Sequence, residues 1–143
     1  MVKVSQILAE KTRNAVFAVH PDQMVIEALE LMAVHNIGAV MVMEGDRLTG
    51  IFSERDYARK GILQERKAKS TPVREVMTAN VITVGPDHSI EDCMERMSKG
   101  KFRHLPVVDN GVVIGLISVG DVVTAIIHEQ RYRIENLELY ITR

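Results

Sequence analysis

The sequence predicts an α/β (α+β) fold made of two repeated β-α-β-β-α units. Residues 17–56 align with 82–121 without a gap, so the chain contains an internal duplication. Each copy has apolar residues at helical spacing, followed by two short apolar runs separated by a turn, which is typical of a helix and a strand pair. One unit of this size is marginal alone, and we expect the copies to pack sheet against sheet about a pseudo-two-fold axis.

The first elements of each copy are a small helix, predicted at 4–8 and at 73–77, and a short strand. The next helix is predicted from apolar residues spaced i, i+3, i+4 and i+7. These residues are Val25, Ala28, Leu29 and Met32 in the first copy and Ile90, Cys93, Met94 and Met97 in the second. Ser89 and Asp92 predict a capped start for the second of these helices. The first copy has Met24 there, so its cap must come from elsewhere.

Two strands and a further helix complete each copy. The strand pairs are predicted at 40–43 with 48–52 and at 105–108 with 112–117. The run Asp-Asn-Gly at 109–111 predicts a tight hairpin because Asn and Gly tolerate positive φ angles, and Glu-Gly-Asp at 44–46 is a weaker counterpart. Helices are expected to follow at about 54–63 and 120–139.

The repeat also sets the domain boundaries. We assign 1–63 to the first repeat, 64–72 to a linker rich in Lys, Ser, Thr and Pro, and 73–143 to the second repeat with its C-terminal helix. The apolar stripe of that last helix is expected either to cover its own core or to bind a partner.

The bulk composition narrows the classes of function. The 143 residues carry a formal net charge of -1, so there is no broad positive surface for a nucleic-acid backbone or an anionic membrane. Cys93 is the only cysteine, which excludes an internal disulfide and a multi-cysteine metal site. Because the sequence has no apolar stretch of membrane-spanning length and no leader-like start, we expect a cytoplasmic protein without nucleic-acid or membrane partners.

One motif, Gly-x-x-Ser-x-x-Asp, recurs at 50–56 and 115–121, where a predicted buried strand ends and a helix begins. A helix N-terminus presents unpaired amides and a partial positive charge that suit a phosphate, and a nearby Asp can accept hydrogen bonds from vicinal ribose hydroxyls. The alternative is a capping box, in which Ser and Asp only stabilise the start of the helix. One copy alone leaves both interpretations open, and two matching copies after apolar strands favour a ligand site.

The duplicated unit, its Gly-x-x-Ser-x-x-Asp endings and the strand at 103–108 resemble a paired cystathionine β-synthase (CBS) domain, or Bateman module, over nearly the whole chain. The resemblance implies a regulatory protein and not an enzyme, with a cleft on each side that binds AMP, ADP, ATP, NAD or S-adenosylmethionine. It also implies a homodimer formed through helices and an effector protein that the sequence does not identify. No catalytic cofactor and no metal ion are expected.

The resemblance further implies which residues contact a ligand. In the second copy Ser118 would lie near phosphate and Asp121 would contact ribose, and Ser53 and Asp56 are their first-copy counterparts. The residues expected to surround adenine in the second copy are Val81, Thr83, Arg103, His104, Leu105 and Pro106. Their first-copy counterparts are Val16, Ala18, Gly38, Ala39, Val40 and Met41.

The two clefts are predicted to differ in charge. The second-copy strand carries Arg103 and His104 where the first copy has Gly and Ala, whereas Arg55, Arg59 and Lys60 surround the first motif. If the copies pack about a two-fold axis, these basic groups could converge on one phosphate tail, and the alternative is an ordinary solvated face. We expect the cleft that contains the second motif to be the stronger nucleotide site.

Two other functions compete with ligand sensing. A structural dimerisation module would leave both clefts empty. An enzyme acting on a nucleotide would need a nucleophile with an adjacent base or a metal cluster, and we find neither pattern in the sequence. Cys93 aligns with Ala28 on the apolar helix face, which predicts a packing role.

Overall fold

The structure is a computed structural model that describes residues 2–11 and 16–141, and these residues form two compact units. The central unit comprises residues 16–81. The composite unit combines 2–11 with 82–141, two segments that are far apart in the sequence. Both units mix helices with small sheets, which confirms the predicted fold class of two repeated α/β units.

The helices and strands follow the predicted order. They are α1 (Val4–Glu10), β1 (Ala18–Val19), α2 (Val25–His35), β2 (Ala39–Glu44), β3 (Arg47–Ser53), α3 (Glu54–Asp56), α4 (Ile90–Gly100), β4 (His104–Asp109), β5 (Val112–Ser118) and α5 (Val119–Ile141). A π turn at Tyr57–Gly61 and a 3-10 turn at Ile62–Gln64 continue α3, and a further 3-10 turn covers Val73–Glu75.

The sheets of the two units differ by one strand. In the central unit β1 pairs in parallel with β2, and β2 pairs antiparallel with β3. In the composite unit β4 and β5 form the antiparallel pair, and the counterpart of β1 is reduced to a single parallel bridge between Val84 and Val107. The Val84 amide donates to the Pro106 carbonyl oxygen at 3.0 Å, and the Val84 carbonyl oxygen accepts from the Val108 amide at 2.9 Å. Both backbone groups of Val84 therefore bond to β4.

The main helices α2 and α4 begin in different ways. Ser89 caps α4 as predicted, because its Oγ accepts from the Asp92 amide at 3.1 Å while Asp92 Oδ2 accepts from the Ser89 amide at 3.0 Å. The start of α2 has no side-chain acceptor on Met24. Its first amides instead donate to the carbonyl oxygens of Thr71 and Ala68, at 2.8 and 2.9 Å. The missing cap is therefore supplied by the backbone of the predicted linker.

Both hairpins have the predicted backbone geometry. Asn110 and Gly111 have φ angles of 50° and 80°, so both loop positions of the β4-β5 hairpin lie in the left-handed region that these residues tolerate. In the β2-β3 hairpin, Gly45 has a φ of 59°. The weaker turn therefore also depends on a glycine.

The small helix at the start of each sequence repeat packs into the core formed by the other repeat. Val4, Ile7 and Leu8 of α1 are buried in the core of the composite unit. Val73 and Val76 are both fully buried in the core of the central unit. A sequence repeat and a packed unit are therefore different sets of residues.

The last helices of the two repeats differ most. The helix predicted at 54–63 breaks into α3, a π turn and a 3-10 turn, and the π turn packs the Tyr57 ring closely enough that a Cβ at Gly61 would lie 2.8 Å from it. In contrast, α5 is continuous over 23 residues. It buries Val122 and Ala125 near its start, whereas residues 131–141 are all exposed. Only the first part of the α5 stripe covers a core.

Candidate functional site

The recurrent motif lies at the junction of a strand and a helix in both units. Ser53 ends β3 before α3, and Ser118 ends β5 before α5. In the central unit the Asp56 amide donates to Ser53 Oγ at 3.1 Å, and the Ser53 amide donates to Asp56 Oδ2 at 3.0 Å. The matching distances for Ser118 and Asp121 are 3.1 and 2.9 Å. Both copies therefore form the capping box that the sequence offered as an alternative.

The capping box uses one carboxylate oxygen, and in the central unit the other oxygen is also engaged. The hydroxyl of Thr78 donates to Asp56 Oδ1 at 3.2 Å. The Lys60 ammonium lies 3.5 Å from the same oxygen and donates to the Met77 carbonyl oxygen at 3.4 Å. The side chain of Asp56 is 14% exposed. Asp56 is thus surrounded by partners from its own unit.

Asp121 in the composite unit has different hydrogen-bond partners. Nζ of Lys11 donates to Asp121 Oδ2 at 2.9 Å and to the Leu116 carbonyl oxygen at 2.8 Å. Oδ2 therefore receives both the Ser118 amide and an ammonium group. Among residues 2–11 and 16–141, no group donates to Asp121 Oδ1. With its side chain 23% exposed, Asp121 offers one carboxylate oxygen for a further hydrogen bond.

The electrostatic surroundings of Asp121 favour its ionised form. Partial burial by itself raises the pKa of this carboxyl group. The hydrogen bond from the Ser118 amide and the neighbouring Lys11 ammonium outweigh burial and lower the pKa below its usual value. At neutral pH Asp121 is therefore a hydrogen-bond acceptor only.

The strand beside this motif, β4, contains three of the six residues predicted to surround adenine in the second copy, and Arg103 lies directly before it. His104 is paired with Ser118 across β4 and β5, and the Arg103 carbonyl oxygen accepts from the Val119 amide at 2.9 Å. Leu105 and Pro106 are buried, whereas Arg103 is exposed. The strand and the motif are therefore held together by backbone hydrogen bonds.

Thr83 and Val81 complete the predicted second-copy set. Thr83 belongs to the composite unit, and its carbonyl oxygen accepts a hydrogen bond from the Arg96 guanidinium. Val81 belongs to the central unit by its packing. Its part in a second-copy site stays a prediction.

The first-copy set is arranged in the same way around Ser53. Ala39 pairs with Ser53 across β2 and β3, and the Gly38 carbonyl oxygen accepts from the Glu54 amide at 3.1 Å, as that of Arg103 does in the other unit. Ala18 pairs with Met41 in β1 and β2. Val40 is buried, and Val16 precedes β1 with 40% of its surface exposed.

The basic residues predicted around the first motif divide into two groups. Arg55 and Arg59 are exposed on the central unit, as a solvated face requires. Lys60 instead points to Asp56 in its own unit. The convergence of these groups on one phosphate tail stays a prediction.

Lys11 and Thr78 are the two contacts that the sequence did not reveal. Each follows the small helical segment that packs into the unit containing the aspartate it contacts. A signal existed, because both segments carry an apolar pattern that is followed by a polar residue. Recognising it would have required knowing that each segment packs in the other repeat.

The cysteine and the possible metal ligands were the remaining candidates for a functional role. Cys93 is fully buried, which confirms the predicted packing role, and burial raises the pKa of its thiol. Within the described part of the chain, no three His, Cys, Asp or Glu side chains cluster as metal ligands. No helix in the same part is both long and apolar enough to cross a membrane.

Two repeated α/β units, each ending a strand in the same capped turn, define a duplicated domain-pair protein. A protein-family model described as CBS domain matches residues 4–61 and matches again at residues 73–128. The chain therefore belongs to the CBS domain family. A pair of such domains is a regulatory module.

Similar proteins agree with this assignment. The mitochondrial CBS domain-containing protein CBSX3 of Arabidopsis thaliana is 42% identical over 125 residues, which cover 84% of this chain and 61% of that protein. The chain thus matches less than two thirds of that relative. A solved protein with CBS domains from Burkholderia ambifaria MC40-6 is 46% identical with a TM-score of 0.86, over 90% of this chain and 96% of that chain.

One solved neighbour contains bound ligands. It is the CBS domain pair of protein MJ0100 in complex with 5′-methylthioadenosine and S-adenosyl-L-methionine. It is 28% identical to this chain with a TM-score of 0.78, and the match covers 90% of this chain and 98% of that one. Binding of adenosine-containing ligands therefore occurs within the family.

Proposed function

We propose that this chain is a regulatory module that binds an adenine nucleotide at the motif of the composite unit and transmits the signal to an effector protein. The observation that carries the proposal is the open oxygen of Asp121. Its capping box and Lys11 use Oδ2, and Oδ1 is left to accept from a ribose hydroxyl. In the central unit Thr78 already donates to the corresponding oxygen of Asp56.

The surroundings of Asp121 suit the other parts of a nucleotide. The α5 N-terminus provides a partial positive charge for phosphate. At this N-terminus the Val119 amide donates to the Arg103 carbonyl oxygen, and the Asp121 amide donates to the Ser118 hydroxyl oxygen. The Gly120 amide between them has no acceptor among the described residues. Beside the motif, the side chains of Leu105 and Pro106 in β4 are buried, so it is the backbone of this strand that would contact adenine. AMP, ADP, ATP and NAD all combine the ribose, phosphate and adenine that these groups would contact.

Two measurements on purified protein test the proposal. Mass spectrometry of small molecules released on denaturation should detect an adenine nucleotide. A thermal-shift panel of AMP, ADP, ATP, NAD, 5′-methylthioadenosine and S-adenosylmethionine should identify the preferred ligand. A ligand present at a hundredfold excess over its Kd should stabilise the folded protein by about 2.7 kcal/mol. If nothing is released and no compound raises the Tm, the proposal is wrong.

A structural dimerisation module is the second candidate, and the exposed stripe of α5 favours an association role. Ile127 and Ile134 are 43% and 55% exposed, and Leu137 is 61% exposed. Their spacing of seven and three residues places them on one face of the helix. We propose that a second copy of this chain covers this face, in either functional candidate.

Light scattering tests the association. A homodimer is expected at micromolar concentration, and Ile134→Glu should convert it to a monomer while leaving the circular dichroism spectrum unchanged. A monomeric wild-type protein would contradict the proposed homodimer. A dimer without any ligand-dependent thermal shift would instead support the purely structural candidate.

The proposal assigns no chemical reaction to the chain. Incubation with ATP or NAD followed by product analysis should return the starting compound unchanged. Turnover would overturn the view that the protein only senses its ligand.

A further inference from the structure

Lys11 connects the N-terminal helix to the candidate site of the composite unit. It lies directly after α1, and its ammonium group donates to Asp121 Oδ2 and to the Leu116 carbonyl oxygen. These two hydrogen bonds use two of its three donors. The side chain is 27% exposed, so the pair is shielded more than a surface ion pair.

The packing of α1 fixes the position from which Lys11 reaches the motif. Ile7 and Leu8 are buried in the core, and the Lys11 amide donates to the Leu8 carbonyl oxygen at 3.3 Å. At the other end of the helix, the Val4 amide donates to the His88 carbonyl oxygen at 2.9 Å. Because both ends of α1 are held, the backbone of Lys11 is fixed at a position from which its side chain reaches Asp121.

We propose that Lys11 is a positioning residue for ribose recognition, which holds Asp121 by Oδ2 and so leaves Oδ1 to accept from a ligand hydroxyl. The inference rests on the proposed function, which it deepens by assigning a role to a residue 110 positions from the motif. Removing Lys11 frees the carboxylate to rotate and gives up the charge that favours its ionised form. Recognition of the ribose hydroxyls should weaken, while contacts to the base should not change.

The central unit shows what the alternative arrangement looks like. There the segment that packs into the unit delivers a neutral hydroxyl, that of Thr78, and it engages Oδ1 of Asp56. The Lys60 ammonium also lies 3.5 Å from Oδ1 of Asp56. The two units therefore place their neighbouring groups on different oxygens of equivalent carboxylates. Among the described residues, the Lys11 arrangement leaves the oxygen opposite the capping box without a donor, whereas the arrangement around Asp56 does not.

Isothermal calorimetry with two ligands separates this role from general stabilisation. Adenosine and 2′,3′-dideoxyadenosine differ only in the ribose hydroxyls, so the ratio of their affinities measures hydroxyl recognition. We expect Lys11→Met to lower this ratio about fivefold or more, because a hydrogen bond to a charged group is being weakened. Lys3→Met removes the same charge from an exposed position before α1 and should leave the ratio unchanged.

Carbon NMR titration of the aspartate carboxyl groups supplies a readout that needs no ligand. In Lys11→Met the pKa of Asp121 should rise, because the ammonium that lowers it is gone. Lys11→Leu, which likewise has neither a charge nor a donor, is a second variant with the same expected results, for use if the methionine variant does not fold.

The outcomes distinguish this inference from the proposed function. If the wild-type protein binds neither adenosine nor any adenine nucleotide, the proposed function fails and the inference fails with it. If adenosine binds but its preference over the dideoxy compound is the same in wild type and Lys11→Met, only the role of Lys11 is wrong. An unchanged pKa of Asp121 in the variant would also overturn it.

Discussion

The two motif aspartates have the same sequence context and the same capping bonds, but they have different remaining partners. In the central unit the Thr78 hydroxyl donates to Oδ1 of Asp56, the oxygen that the capping box does not use. In the composite unit the Lys11 ammonium donates to Oδ2 of Asp121, the oxygen that the capping box does use. A duplicated motif therefore specifies the local turn, while segments from elsewhere in the chain specify which atoms of the turn stay available for binding.

The difference arises from the exchange of the small leading helices between the repeats. α1 has seven residues, about two helical turns, before Lys11. The equivalent segment of the central unit is a single 3-10 turn, Val73–Glu75, followed by Val76, Met77 and Thr78. The longer segment places the long Lys11 side chain at the second motif, and the shorter segment places the short Thr78 side chain at the first motif. The two motifs therefore need not bind the same ligand or bind it with the same affinity.

The largest expected effect tests whether α1 is part of the core that carries the second motif. Leu8 is 5% exposed, and Leu8→Ala should lower the free energy of unfolding by about 2 to 5 kcal/mol. Leu63 is 75% exposed in the central unit, so Leu63→Ala should cost less than about 0.5 kcal/mol. Chemical denaturation measures both. Similar losses of stability in the two variants would contradict the packing of α1 in the core of the composite unit.

The next effect separates the two sites by affinity. Asp121→Asn should weaken binding of the preferred adenine nucleotide about tenfold or more, because a ligand hydroxyl loses a charged acceptor. Asp56→Asn should change the affinity less than about threefold, although it disturbs the same type of capping box. Calorimetry on the matched pair decides between the units. A larger loss in Asp56→Asn would show that the central unit contains the main site.

A smaller effect on stability is expected from the N-terminal cap of α4, the helix that precedes the second motif. Ser89→Ala should destabilise the protein by about 1 kcal/mol, because the Asp92 amide at the start of α4 loses its acceptor. Ser98→Ala, on the exposed side of the same helix, should be neutral or slightly stabilising. Thermal and chemical denaturation measure the difference. Equal effects at the two serines would contradict the capping role.

The smallest effect is a dependence of stability on pH that belongs to Asp121. Its pKa in the folded protein is lower than the ordinary value of 3.8, so its ionisation stabilises the fold above about pH 4. This contribution is lost as the pH falls through the folded-state pKa. Wild type should therefore exceed Asp121→Asn in stability by less than about 1 kcal/mol at pH 7, and by still less at pH 3. A difference that grows on acidification would contradict the ion pair.

Much of the architecture could be predicted because it depends on local patterns. The spacing of Val25, Ala28 and Met32 reports a helix with one buried face, and these three residues are buried. The Asn-Gly pair at 110–111 reports a hairpin because few other residues adopt its φ angles. The broken helix after β3 was not predicted, since the close packing of Tyr57 over Gly61 is not a periodic signal.

The site could be predicted only up to the motif itself. The sequence established the duplication and the two strand-to-helix turns. For one copy, capping and ligand binding remained alternatives because both use the same residues at the same spacing, and only the second matching copy favoured ligand binding.

Which carboxylate oxygen stays without a donor among the described residues depends on the folded chain. That choice depends on contacts between residues distant in sequence, 110 positions apart for Lys11 with Asp121 and 22 for Thr78 with Asp56. Such contacts follow from which core a short apolar segment enters, and either core would bury its side chains. The hydrophobic pattern is the same in both cases, so only the folded chain distinguishes them.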